Sequence, residues 1–178
     1  DIEYIMPAHG IIWKDYIGDI IETYKGIAAQ KVENKAVIVY ESVWKHTQQI
    51  AESLAEGFSD AGMDVKVYKL SDTKSSIVMR EIMDAKVVCI GSGTYNNVMA
   101  PSVAAFLEHI RPCKFKNKKG MAFAAYGWFN QVAKEIDTRM QQSGIESCHD
   151  VISQCYTPSD DQLEDYYNIA KEIAKNCQ

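Results

Sequence analysis

The chain has 178 residues, 47% of them hydrophobic and 24% charged, with a net charge of −5. That length suits one domain with a real core, and an acidic balance without a basic stripe excludes nucleic acid as the main partner. There is no membrane-length apolar run and no signal-peptide pattern, and five cysteines without a Cys-x-x-Cys spacing exclude a disulfide framework and point to a reducing cytoplasm.

The first residues, Asp1-Ile2-Glu3-Tyr4, do not begin with Met and read as part of a longer chain. Residues 1–12 read as a loop around Pro7-Ala8-His9-Gly10. From Trp13 to Ala28, apolar residues recur at helical spacing, which predicts an amphipathic linker helix of about four turns. Gln30 to Lys35 reads as a polar linker. The expected division is therefore a leading segment, 1–34, and a main domain, 35–178.

After the linker the chain alternates. Ala36 to Tyr40 is an unbroken apolar strand, followed by a helix with Ile50, Ala51, Leu54 and Phe58 on one face and a stop at Gly62. Val65 to Tyr68 predicts a second strand and Ile77 to Met83 a short helix. Val87 to Ile90 is a third strand, and Pro101 suits the first turn of the next helix. Met121 to Tyr126 is a fourth strand, leading to a helix through Val132, Ile136 and Met140. Val151 to Tyr156 is a fifth strand, and Ser159 to Gln162 has capping-box spacing ahead of the last helix. Strands that are apolar on both faces need helices on both sides, so an α/β fold with a doubly wound five-stranded parallel sheet is expected. With the order 2-1-3-4-5, ligands bind beyond the carboxyl ends of strands 1, 3 and 4.

The loops after those three strands carry the chemistry. Ser42-Val43-Trp44-Lys45-His46-Thr47 offers hydroxyls, backbone N–H groups and a helix start, which is what a phosphate dianion needs. It lacks the glycines of a P-loop or a dinucleotide fingerprint, which disfavours nucleoside triphosphates and NAD. Ser92-Gly93-Thr94-Tyr95-Asn96-Asn97 can place N–H, hydroxyl and amide groups against the edge of a heterocycle. Ala125-Tyr126-Gly127-Trp128-Phe129-Asn130 offers aromatic faces that can stack on a flat ring. Each loop alone also reads as a turn or as packing. Jointly they predict a pocket for a flat ring with a phosphate tail, and FMN is the candidate.

These residues resemble those of the flavodiiron proteins, in which a metallo-β-lactamase-like diiron domain precedes a flavodoxin-like domain. The resemblance spans nearly the whole chain. Pro7-Ala8-His9-Gly10-Ile11-Ile12-Trp13 is similar to the family's last stretch of the diiron domain, and the three loops resemble its flavin loops. The chain departs from the family's usual pattern at His46, Gly93 and Phe129. The resemblance implies a flavodoxin-like fold with an extra N-terminal linker helix, and FMN held by all three loops. It implies an electron carrier without catalytic residues of its own. It further implies rubredoxin or a rubredoxin-like reductase as electron donor, a diiron domain as acceptor that reduces oxygen or nitric oxide, and a homo-oligomeric parent. His9 would be an iron ligand in such a parent, but it has no partners at ligand spacing in this chain, so no metal site is expected here. Three alternatives share the fold: an NAD(P)H:quinone reductase, a response regulator and a flavin-free interaction domain.

Overall fold

The computed structural model describes residues 2–177. The chain forms two compact units that divide between Lys31 and Val32. In the first unit, Ile5 and Trp13 pair as an isolated antiparallel bridge, and helix α1 spans Ile17–Ala28. The helix predicted from Trp13 thus begins four residues later. Trp13 is extended in its bridge, and Tyr16 adopts a left-handed conformation (φ 60°) that ends any helix running through it.

The second unit is a twisted parallel sheet with helices on both faces. Its elements are β1 (Glu33–Glu41), α2 (His46–Asp60), β2 (Asp64–Lys69), α3 (Ser75–Met83), β3 (Ala85–Tyr95) and β4 (Val98–Met99). They continue with α4 (Pro101–Ile110), β5 (Lys119–Tyr126), α5 (Val132–Gln142), β6 (Glu146–Ser147), β7 (Ile152–Cys155) and α6 (Asp160–Asn176). The strands lie in the order β2-β1-β3-β5, and both β6 and β7 pair parallel to β5. This is the expected 2-1-3-4-5 order with its fifth strand in two pieces. β1 begins at Glu33, so residues 33–35, read as linker, are strand instead. Lys35 is buried there, its Nζ 2.6 Å from Glu81 and 2.9 Å from Asp84, an ion pairing that a polar sequence segment does not reveal.

Alternation along the central strands divides the core in two. Val37, Val39, Val88, Ile90, Ala122 and Ala124 face α3, α4 and α5. Ala36, Ile38, Val87, Cys89, Met121 and Phe123 face α2 and α6. Gly91 makes room for the Phe123 ring, since a Cβ there would stand 2.1 Å from it. The result is a sheet whose carboxyl-end loops converge on one rim.

Candidate flavin site

That rim carries a cleft of about 290 Å³. Its walls come from four places: the loop after β1, the end of β3, the end of β5 with its following loop, and the residue after β7. Ser42, Val43, Trp44, His46 and Thr47 line the first wall. Gly93, Thr94 and Tyr95 line the second, and Ala125, Tyr126, Gly127 and Trp128 the third. Tyr156, which the sequence reading did not single out, completes it.

The first two loops meet closely. A Cβ at Gly93 would lie 3.8 Å from the Thr47 hydroxyl and 3.5 Å from the Tyr95 ring. Thr47 is buried, and Trp44 is 81% exposed. Helix α2 starts behind Lys45, which is left-handed (φ 66°), and no side chain caps its first turn. Its leading N–H groups are therefore open to an anion, and no acidic residue stands in that turn. The His46 ring Nε2 lies 3.2 Å from the Thr157 hydroxyl, which ties the start of α2 to the β7–α6 loop.

The third wall presents Trp128, 82% exposed. Tyr156 packs over Gly127, where a Cβ would come within 3.3 Å of the phenol oxygen. Tyr156 is itself left-handed (φ 56°), held by its N–H to the Tyr126 carbonyl at 2.8 Å. Two large indoles bared to solvent beside one cleft are unusual for a surface that meets only water. The Thr94 hydroxyl in the cleft lining is buried and lacks a hydrogen-bond partner among the described groups. The uncapped helix start, the two indoles and this orphaned hydroxyl fit a phosphorylated flat ring.

Six residues expected in the site do not line the cleft. Lys45 is exposed and supplies the left-handed turn into α2. Ser92 is fully buried, its hydroxyl donating to the Gly93 carbonyl at 2.7 Å and accepting the Ala100 N–H at 2.8 Å, so it braces the loop from behind. Asn96 and Asn97 are the two left-handed residues (φ 47° and 71°) of a tight hairpin that pairs β3 with β4. Phe129 packs into the core on the α3–α5 side, and Asn130 is exposed, its side-chain Oδ1 accepting from the Gln131 Nε2. Tyr156 left no motif in the sequence. A single tyrosine after a fifth strand gains meaning only when the sheet sets it beside Gly127.

Among the described residues, no group of three or more His, Cys, Asp or Glu could hold a metal ion, and no helix is long and apolar enough to cross a membrane.

The flavodoxin family profile matches residues 38–169. Over 97% of its length the chain is 36% identical to a nitric oxide reductase of Moorella thermoacetica. It superposes on the rubredoxin oxygen:oxidoreductase of Desulfovibrio gigas with a TM-score of 0.94, at 33% identity over 98% of the chain. The flavodiiron protein of Giardia intestinalis gives 0.91, at 28% identity over 99%. The chain spans 44% of the length of each of these three proteins. It thus belongs to the flavodoxin family, as an FMN-binding domain of the flavodiiron type.

Proposed function

We propose that the cleft between Trp44 and Trp128 holds the FMN through which this domain relays electrons. The observation that carries this reading is the pair of exposed indoles flanking an uncapped helix start. In it, Ser42, Thr47 and the first N–H groups of α2 hold the phosphate. Trp44, Tyr95 and Trp128 flank the ring, while Tyr156 closes the side that faces Gly127. Backbone groups at Gly93 to Tyr95 and at Tyr126 to Gly127 meet the polar edge of the ring. Bound FMN supplies the redox chemistry; the chain supplies position, partial exclusion of water and an electrostatic setting.

In a whole flavodiiron protein the domain would take electrons from rubredoxin or a rubredoxin-like reductase. It would pass them to a diiron domain that reduces oxygen or nitric oxide. The reading extends to a homo-oligomeric parent in the cytoplasm, and to a leading segment, through Lys31 and not through residue 34, that belongs with the diiron domain. The 178-residue chain by itself would carry electrons and reduce neither gas.

The test is a binding titration on the purified chain. FMN should quench tryptophan fluorescence with a one-to-one endpoint, and acid release from the purified protein should yield FMN and not FAD. A colourless protein whose fluorescence ignores added FMN would sink the reading.

A further inference from the structure

Glu41 closes β1 and is only 7% exposed. Its Oε1 accepts the Ser42 backbone N–H at 3.0 Å and its Oε2 accepts the Ser102 hydroxyl at 3.2 Å, while the Ser71 oxygen lies 3.4 Å from Oε1 with its proton better placed on Asp72, at 2.9 Å. The Ser42 N–H and the Ser102 hydroxyl both reach it as donors, which suits a carboxylate serving as acceptor. No cation forms an ion pair with Glu41 among the described residues. A buried charge is normally paired, because hydrogen bonds alone leave its field standing. Ser102 sits in the first turn of α4, so the helix dipole favours the carboxylate but offsets only about half a unit of charge.

The electron-relay reading assigns this charge no role, although it stands directly behind the cleft. The backbone N–H it holds belongs to Ser42, a lining residue. In the sheet Glu41 pairs with Ser92, the residue before Gly93. Its field also reaches the cleft: the Tyr95 phenol is pushed up by burial and by the negative charge of Glu41.

We propose that Glu41 is a positioning residue that fixes the Ser42 end of the phosphate loop and whose uncompensated charge lowers the reduction potential of FMN in the cleft. The inference rests on FMN occupying that cleft. Full reduction brings two electrons and one proton to the neutral ring and leaves it with one negative charge. The electrons come from the protein donor or, in the assay, from the electrode. A fixed carboxylate nearby opposes that added charge and leaves the oxidised ring untouched.

The experiment is a spectroelectrochemical titration of the FMN-loaded chain. Glu41→Gln should still bind oxidised FMN and should raise the two-electron potential. The expected size is roughly tenfold in the ratio of oxidised to reduced dissociation constants, or about 30 mV. Glu41→Asp keeps the charge and should stay near the parent. Ser102→Lys, which sets a cation against Oε2, should raise the potential as well and decides the matter if Glu41→Gln does not fold. A parent chain that binds no FMN defeats the cofactor reading itself. A folded, FMN-loaded Glu41→Gln or Ser102→Lys at the parent potential overturns only the role of Glu41, as does a Glu41→Asp that shifts as far as Glu41→Gln.

Discussion

Trp44 and Trp128 lie more than four-fifths in water, although indole is among the costliest side chains to leave there. Their placement beside one cleft turns that cost into binding surface. Replacing either by Ala should weaken FMN binding by about 1–3 kcal/mol, the usual worth of stacking a heterocycle on an aromatic side chain. Fluorescence or absorbance titration reads the loss directly, and because both side chains are exposed, the melting temperature of the unliganded chain should hardly move. Trp128 was legible in the sequence because aromatics crowded around Gly127 are odd for a loop, and Trp44 because it stands in the segment read as the phosphate loop. Glu41 and Tyr156 were not legible as parts of the site. A glutamate at a strand end looks solvated until Ser71 and Ser102, 30 and 61 residues away, are brought onto it.

At the scale of elements, α2 and α6 pack side by side on one face of the sheet. Gly57 sets how closely they approach, because a Cβ there would stand 2.2 Å from the Tyr167 carbonyl oxygen and 2.8 Å from Ala170 Cβ. Gly57→Ala gains helix propensity, about 1 kcal/mol, yet it must push α6 away. The net expectation is a destabilisation of about 1–3 kcal/mol, read as a lower urea midpoint with an unchanged slope. At its N-terminus α6 carries the capping box expected from sequence, with the Ser159 hydroxyl accepting the Gln162 N–H and the Gln162 side chain accepting the Ser159 N–H. Capping is local chemistry and so was readable. The β3–β4 hairpin was not read, because its partner strand is only Val98–Met99, too short for any periodicity.

For the molecule as a whole, Lys118 is a buried charge that couples stability to pH. Its Nζ donates to the Met83 and Ala85 carbonyls at 2.9 Å each, tying the end of α3 and the start of β3 to the segment before β5. Burial pushes its ammonium down to about 8 from the ordinary 10.5. Between those values the unfolded chain holds a proton that the folded chain has released, so this group makes stability rise with pH across that window. Chemical denaturation of the parent and of Lys118→Met at pH 7, 8.5 and 10 should show the parent's advantage growing with pH; a constant gap would count against the depressed ammonium. Taken by itself, the sequence determined the alternation of apolar strands and amphipathic helices, the parallel doubly wound sheet and the three loops at its rim, because each is written in residues close together along the chain. Only the tertiary structure decided which side chains face the cleft, that Asn96 and Asn97 make a turn, that Tyr156 joins the site, and that Lys35, Lys118 and Glu41 are buried. Those outcomes depend on which distant segments the sheet brings side by side, and burial and electrostatic partners are properties of that arrangement and not of any local stretch.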